Sequence, residues 1–453
     1  MEGLLTYLDI VLVPFYLVII ILVCSRIKSK NIIKFPEYKY FLRGIIFKLF
    51  GVSAFISIYL FYYEGGDTVA YFSGSRSLSN LFFLDFIKFF DIVINNNLDW
   101  NNYTMFNSNT GYPPWYMWKD PKTFSVCRYT CFFSLLSFNS FIVTSFFTAC
   151  FSYIGIWKIY RLFNMLYPGN SKVLAYLILF LPTLIFWGGG IMKDSYVLGS
   201  TCWITFNFYK VFILRKKIFI NLIFMSLNLF IIINTKSYVI ISLLPGMLLW
   251  LNNAYLKSIK STILKIFLLP ILISTVILIG FIAFSNLSSF MGVYGNVDSA
   301  IEQAQVIQED LLREDQYGGN NYDLGGISNS FVGLISVAPI AIFTALFRPL
   351  FWEIGSPTMA ISAIENTSLL VFVFLLLIRV SPFKLFRLLI QEPFLLYCFI
   401  FSIFFAFGVG VAGTNFGALV RYKTPLIPFF FSMIYILFKK INTKKSIKGT
   451  FKK

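Results

Sequence analysis

Residues 44–76 read GIIFKLFGVSAFISIYLFYYEGGDTVAYFSGSR and join an apolar run to a polar turn. The part before the turn, residues 44–62, is long and apolar enough to cross a membrane as one helix. Glu64 and Asp67 stand at the mouth of this predicted span, with Tyr71 one helical turn further on. A carboxylate in that position is costly unless it is paired or hydrated, so it often marks a functional site. We therefore predict Asp67 and Glu64 as catalytic residues and Tyr71 as a substrate-binding residue.

The rest of the chain has the same apolar character. Of its 453 residues, 58% are apolar and 13% are charged, against about 45–50% and about 25% in ordinary globular domains. Runs of about 20 apolar residues recur throughout, and these indicate transmembrane helices. The predicted spans include residues 173–186, the run after Lys193 and residues 266–284. The predicted fold class is an all-α polytopic integral membrane protein with about 11 spans, one re-entrant or buried segment and amphipathic helices at the outer face. We expect a single domain over residues 1–453, with outer-face segments at 64–128 and 285–329.

The formal charge of +18 is distributed as membrane topology requires. Lysine and arginine cluster between the apolar runs and in the tail, where seven lysines lie between Lys439 and Lys453. The positive-inside bias makes these segments cytoplasmic, and this explains the charge without nucleic-acid binding. The same bias places the amino terminus and the turn after residue 62 outside. If residues 330–347 crossed the membrane completely, the lysine-rich tail would lie outside. We therefore predict that this segment re-enters the membrane or lies buried, so that the tail stays cytoplasmic.

Histidine is absent from the chain, which excludes an imidazole base, a Ser-His-Asp triad and histidine-ligated zinc. The six cysteines have no metal-site spacing, and we interpret them as small apolar packing residues. Catalysis in this chain has to rest on carboxylates, tyrosines, lysines and arginines. Glu64 and Asp67 could hold a divalent cation together with water, but the sequence requires no metal.

The predicted outer junctions contribute charged and aromatic side chains from distant parts of the chain. Besides Tyr71, the candidate substrate-binding residues are Lys193, Asp194, Arg348, Trp352, Glu353, Arg421, Tyr422 and Lys423, and Lys236 falls on the same face. Arginine binds phosphate oxygens bidentately and lysine adds a point charge. A carboxylate next to a sugar acceptor can take the proton of the attacking hydroxyl. The mixture therefore suits a substrate that carries phosphate or pyrophosphate.

Each of these junctions also has a structural interpretation. The glycines after Glu64 can simply turn the chain, with Asp67 capping the next helix. Lys193 and Asp194 can form an interface pair after a glycine helix end. Arg348 and the run Arg421–Lys423 can be anchors whose charges snorkel to lipid headgroups. Glu365, in the middle of a predicted span, either partners a buried cation or belongs to the site.

An aromatic segment, NNYTMFNSNTGYPPWYMWKDPK, occupies residues 101–122 of the predicted outer face. Trp100, Trp115, Tyr116 and Trp118 suit the aromatic belt at a membrane interface. Stacking against a sugar would use the same kinds of side chain. Both interpretations stay open at this point.

Three junctions of the chain resemble those of GT-C-fold membrane glycosyltransferases and of related O-antigen-polymerase-like proteins of envelope glycan synthesis. They are the acidic first outer loop with Asp67, the run from Pro182 through FWGGGIMKDS, and Asn415-Phe416-Gly417 followed by Arg421-Tyr422-Lys423-x-Pro425-x-x-Pro428. The resemblance implies a polyprenyl-phosphate-linked sugar donor and location in a bacterial inner membrane. It implies that Asp67 is the base or the acid that positions the acceptor. Arg421 with Lys423 is then expected to hold the lipid phosphate, and Lys193 with Arg348 to neutralise the leaving phosphate.

The sequence therefore predicts a glycosyltransferase, with three alternatives. A Wzy-type polysaccharide polymerase needs two outer loops that carry arginine, whereas Arg348 and Arg421 lie at span ends. A transporter or flippase is typically built from repeats with broken helices at mid-membrane, and we find no clear repeat. A non-catalytic subunit of an envelope machine would use the aromatic outer segment for docking to assembly partners. Membrane lipids and a lipid-linked sugar donor are the expected partners, and nucleic acid is not.

Overall fold

The computed structural model describes residues 4–258, 302, 305, 306, 321, 322 and 331–450. It is 81% helical, and no β-strand forms within those residues, which confirms the predicted all-α class. The chain divides into two compact units. The first comprises Met1–Asn207 with Ile223–Lys236, and the second comprises Phe208–Leu222 with Ser237–Lys453. The expectation of a single domain stays a prediction.

The first unit is built from long apolar helices and from the short helices of the segment between residues 85 and 120. In chain order they are α1 (Asp9–Ile32), α2 (Phe41–Phe61), α3 (Asp67–Leu84), α4 (Phe86–Val93), α5 (Trp100–Tyr103), α6 (Trp115–Trp118), α7 (Pro121–Leu136), α8 (Phe141–Leu166), α9 (Ser171–Ile178), α10 (Pro182–Phe186), most of α11 (Lys193–Phe208) and most of α12 (Ile218–Lys236).

The second unit begins with a turn of π-helix at Tyr209–Ile213. Its described helices are α13 (Tyr238–Ser258), α14 (Phe331–Ser336), α15 (Ala338–Phe347), α16 (Pro357–Arg379), α17 (Pro382–Gln391), α18 (Pro393–Ala412), α19 (Phe416–Tyr422) and α20 (Ile427–Thr450). Single 3₁₀ turns at Phe351–Glu353 and Thr424–Leu426 lie between them.

Within the described residues, eight helical segments are long and apolar enough to cross a membrane. They are Asp9–Ile32, Pro36–Phe61, Phe141–Leu166, Ile218–Lys236, Tyr238–Tyr255, Pro357–Arg379, Pro393–Ala412 and Phe416–Asn442. This finding confirms a multi-pass membrane protein. In the segment predicted to re-enter or lie buried, α15 has only 10 residues. The span predicted near residues 266–284, and most of the outer segment 285–329, lie outside the described residues.

Two predicted spans differ from the structure. The span expected at residues 173–186 is broken into α9 and α10. The cause is Pro182, because a residue before proline is pushed out of the helical conformation. Leu181 accordingly has φ −69° and ψ 121°, and Pro182 then occupies the first turn of α10. The span expected after Lys193 is a helix of 16 residues, α11, which continues into the π-helical turn.

Close packing of α2 explains the glycines of the WGGG run. A Cβ atom on Gly190 would lie 2.1 Å from Cε1 of the Phe55 ring, so only glycine fits there. On the same helix, Lys48 is 2% exposed and its ammonium donates a hydrogen bond of 2.5 Å to the carbonyl oxygen of Leu184. A lysine within a span needs such a partner, because an unpaired charge in an apolar surrounding is expensive.

The amphipathic stretch predicted in the outer segment forms the end of α3 and all of α4. Phe89 and Ile92 of α4 are fully buried, whereas Ile87 is 79% exposed. The buried guanidinium of Arg128 in α7 donates to the carbonyl oxygens of Val93, at 2.8 Å, and Ile94, at 3.3 Å. These bonds satisfy carbonyl groups that the end of a helix leaves without partners. They join the end of α4 to α7.

Candidate functional site

The turn that precedes α3 holds Asp67 at a helix start. Glu64, Gly65 and Gly66 have φ values of 51°, 155° and 96°, a run that only glycine-rich sequence adopts readily. Gly66 caps α3, and Asp67 is the first residue of the helix. A carboxylate there is stabilised by the positive end of the helix dipole. Asp67 is half-buried, and Glu64 is exposed.

Tyr71 lies one turn after Asp67 and is only 4% exposed. The structure therefore leaves Glu64 exposed before the glycines, Asp67 half-buried after them, and Tyr71 inside the first unit. Among the described side chains, no group of three His, Cys, Asp or Glu residues could hold a metal ion.

Lys193 begins α11, and its ammonium reaches the start of α7. It donates a hydrogen bond of 2.7 Å to the hydroxyl of Thr123. That hydroxyl donates in turn to the carboxylate of Asp120, which also accepts from the backbone N–H of Lys122 and so caps α7. A cation, a hydroxyl and a carboxylate therefore form a chain across the starts of two helices.

Asp194 forms a buried ion pair with Lys236 at the end of α12. The ammonium lies 2.6 Å from the carboxylate oxygen Oδ1, and the two side chains are 10% and 4% exposed. Removing either partner would leave an uncompensated buried charge, which is strongly destabilising. The pair therefore holds the start of α11 against the end of α12.

Electrostatics links these side chains to Asp67. Burial lowers the pKa of the Lys193 ammonium. The carboxylates of Asp120, Asp67 and Asp194 oppose that shift, and the ammonium of Lys236 adds to it. We name these residues the first charged cluster: Asp67, Asp120, Thr123, Lys193, Asp194 and Lys236. Asp67, Lys193 and Asp194, three of the predicted site residues, therefore interact electrostatically within the first unit, and their assignment to a site stays a prediction.

Asp120 and Thr123 were not among the predicted site residues. In the sequence, Asp120 before Pro121 resembles an ordinary helix start, with the aspartate as cap and proline in the first turn. Thr123 carries no motif. One feature of the sequence could have pointed to Asp120. The Asp120-Pro121 pair lies near the end of the predicted outer segment, and the junction that carries Lys193 is predicted on the same outer face.

In the second unit, Arg348 is held by neighbours on several sides. Its Nε donates a hydrogen bond of 2.8 Å to Glu353, and its Nη2 pairs with the same carboxylate oxygen. The other oxygen of Glu353 accepts from the N–H of Leu350 at 2.7 Å. The guanidinium carbon lies 4.8 Å from the centre of the Phe416 ring and 5.7 Å from that of Tyr322.

Lys423 is 1% exposed, and its hydrogen bonds join separate segments of the second unit. Its ammonium donates to the carbonyl oxygen of Arg348 at 2.8 Å and to the amide oxygen of Asn366 at 2.9 Å. Glu365 interacts with it electrostatically, which supports the interpretation of Glu365 as the partner of a buried cation. This geometry gives no support to phosphate binding by Lys423.

The remaining predicted residues lie nearer the surface. Trp352 is 74% exposed. Arg421 and Tyr422 are partly buried, with the guanidinium carbon 5.7 Å from the centre of the tyrosine ring. Arg348, Glu353 and Lys423 therefore come together within the second unit. The single face predicted to unite both sets of residues stays a prediction.

The fold defines an all-α, multi-pass membrane protein with a cluster of charged helix ends in its first unit. Comparison of the chain with protein-family models, with curated proteins and with solved structures finds no match to any of them.

Proposed function

We propose that this chain is an integral-membrane glycosyltransferase of the bacterial inner membrane. In this proposal it moves a sugar from a polyprenyl-phosphate-linked donor to an envelope glycan, lipid or protein acceptor at the periplasmic face. One observation supports the proposal: carboxylates and an ammonium from the starts of three helices, Asp67, Asp120 and Lys193, interact in the first charged cluster, where Lys193 donates a hydrogen bond of 2.7 Å to Thr123.

Glycosyl transfer needs both kinds of group. A hydroxyl of the acceptor attacks the anomeric carbon of the donor sugar, and the bond from that carbon to the phosphate oxygen breaks. Asp67 takes the hydroxyl proton, which is general-base catalysis worth about 10²–10⁴-fold in rate. Negative charge develops on the leaving phosphate, and in this proposal the Lys193 ammonium stabilises it. No oxidant, reductant or further reactant is required.

The position of the cluster favours this chemistry over transport. Transporters hold their substrates near the bilayer midplane, between broken helices of repeated halves. Asp67, Asp120 and Lys193 instead lie at or just before the first residues of α3, α7 and α11, and Lys236 ends α12. Charges at helix ends suit a substrate whose lipid lies in the bilayer and whose phosphate lies at its surface.

Replacing Asp67 tests the proposal directly. We expect Asp67→Asn to lower formation of the glycosylated product by about 10²-fold or more, because asparagine cannot accept the hydroxyl proton. The measurement compares surface glycans and lipid-linked sugars of cells that lack the gene and are complemented with either form. Protein levels in the membrane fraction establish that the variant folds.

The matched control is Asp85→Asn. Asp85 caps α4 through the N–H of Lys88 at 2.9 Å, and asparagine caps a helix equally well. The control is therefore expected to complement fully. Cells in which Asp67→Asn restores the same glycans as the natural chain would contradict the transferase and favour a non-catalytic subunit.

A further inference from the structure

Four exposed aromatic side chains lie between residues 100 and 116, in the segment that follows α4. Trp100 is 62% exposed, Tyr112 56%, Trp115 38% and Tyr116 60%. We name these four side chains the aromatic platform. In a membrane protein, exposed Trp and Tyr rings either belong to the interfacial aromatic belt or stack against a ligand, so the surroundings of these four rings have to distinguish the two.

The platform rests on a fixed aromatic base. The Trp115 ring makes edge contacts with Trp100, at 5.4 Å between ring centres, and with Tyr103, at 4.7 Å. Tyr103 contacts Trp118 at 5.4 Å, and Trp118 is 2% exposed. Rings held in this way lose little conformational entropy when a ligand covers them, so the surface is preorganised for binding.

Hydrogen bonds hold the platform to α3. The hydroxyl of Tyr103 donates to the carbonyl oxygen of Pro113 at 3.2 Å. Asn107 and Thr110 bond to each other across a turn, with a distance of 2.7 Å from the Asn107 N–H to the Thr110 hydroxyl. The side chain of Asn80 in α3 donates to the carbonyl oxygen of Thr110 at 3.1 Å. The platform is therefore positioned by the helix that Asp67 begins.

The charge of this segment distinguishes between possible ligands. From residue 99 to residue 120 the charged side chains are Asp99, Lys119 and Asp120, which give a net charge of 1 − 2 = −1. An anionic lipid surface attracts basic segments, and this one is not basic. Its other exposed groups include the amides of Asn101, Asn107 and Asn109. Rings that present flat apolar faces beside neutral amides suit a ligand with C–H faces and hydroxyl edges.

We propose that the aromatic platform binds a saccharide, as the acceptor that is brought to Asp67. This rests on the proposed function and names its acceptor class. The platform borders the first charged cluster at Tyr116. Partial burial raises the pKa of Tyr116 to about 12, and the Asp67 carboxylate adds to the shift although most of the ring is exposed. The Tyr116 hydroxyl is thus within electrostatic range of the Asp67 carboxylate, so a sugar stacked on these rings is expected near the proposed base.

The test uses the full chain in lipid nanodiscs and an array of immobilised oligosaccharides of neutral hexoses, deoxyhexoses and N-acetylhexosamines. We expect binding to at least one class on the array. Trp115→Ala should weaken it about tenfold, and Trp115→Phe should keep most of it, because a ring face remains. Phe83→Ala is the control, since Phe83 is 76% exposed but lies outside the platform. An array without binding, or binding unchanged in Trp115→Ala, overturns the proposal.

A second measurement separates sugar from membrane. In vesicles with brominated acyl chains, lipid contact quenches tryptophan fluorescence. We expect the quenched fraction to be larger in a Trp100→Phe, Trp115→Phe variant than in the natural chain, because the variant loses two of the eight tryptophans and neither of them contacts lipid in this proposal. A smaller quenched fraction in the variant would place these rings in lipid and overturn the proposal.

Failure of the platform and failure of the transferase give different results. If Asp67→Asn abolishes the product while no array sugar binds through these rings, only the platform is wrong. If sugars bind through the rings and Asp67→Asn leaves the product unchanged, only the transferase is wrong.

Discussion

Thr123 separates the ammonium of Lys193 from the carboxylate of Asp120 while bonding to both. A direct ion pair would hold the lysine charge against its partner. The intervening hydroxyl supports both charges and leaves two of the three ammonium donors for a phosphate. Thr123 is thus a positioning residue, and Lys193 is the group that meets the substrate.

Two substitutions of Thr123 should show whether its hydroxyl group or its size matters for donor binding. Thr123→Val keeps the shape but removes the hydroxyl, so we expect KM for the donor to rise about tenfold. Thr123→Ser should retain most of the affinity, because serine restores the bond. The measurement is product formation against donor concentration in membrane preparations. Equal KM values in the valine and serine variants would contradict the role of the hydroxyl.

The dependence of activity on pH should reflect the loss of the proton from the Lys193 ammonium. Because burial lowers the pKa of its ammonium, Lys193 loses its charge at a lower pH than an exposed lysine does. Stabilisation of the leaving phosphate depends on that charge, so activity is expected to fall as pH rises through the lowered value. Lys193→Arg keeps the charge and should move the alkaline limb to higher pH. An unchanged alkaline limb would assign the titration to another group.

At the scale of elements, the buried pair of Asp194 and Lys236 joins α11 to α12. Asp194→Asn should lower the free energy of unfolding of the reconstituted protein by about 3–5 kcal/mol, because a buried ammonium loses its partner. The comparison variant is Glu392→Gln, which breaks the ion pair of Glu392 with Lys440. Those side chains are 28% and 33% exposed, so a loss of about 0–1 kcal/mol is expected. If denaturant titrations gave the two variants the same loss in free energy of unfolding, the buried pair would not be more stabilising than the more exposed one.

Long apolar helices were the most predictable elements, although the predicted span at residues 173–186 missed the start of α10 at Pro182, and side-chain partners were the least predictable. The proline at the first position of α7, α10, α16 and α18 is an ordinary signal of a helix start. The charge bias of inner loops predicted that Asp67 and Lys193 share a face; this stays a prediction, and the first unit shows that the Asp67 carboxylate acts electrostatically on the Lys193 ammonium. Asp120 could not be selected, because an aspartate before proline gives the same pattern whether or not a lysine reaches it.

Lys423 illustrates the same limit in the second unit. A lysine near the end of a span is expected to reach headgroups or a phosphate. The structure buries it because Asn366 and the carbonyl oxygen of Arg348 supply partners from far away in the chain. Such partners follow from tertiary packing and have no local signature.

For the whole molecule, the topology predicted from charge can be measured by labelling cysteines. Asn109→Cys, on the exposed outer segment, should react with a membrane-impermeant maleimide in intact cells. Arg387→Cys, on the exposed face of α17, should react only after permeabilisation, because its basic segment is predicted to be cytoplasmic. A background with Cys24→Ser and Cys150→Ser removes the two native thiols that are not buried. The opposite pattern of labelling would invert the topology and move Asp67 to the cytoplasmic side.

The buried lysine of α2 has a consequence for biosynthesis. Lys48 bonds to Leu184, which lies 136 residues later in the chain. Until α10 has been synthesised, this carbonyl group does not exist as a partner for Lys48. In a nascent chain the ammonium therefore depends on water or on another temporary acceptor, since an unpaired charge in an apolar surrounding is expensive.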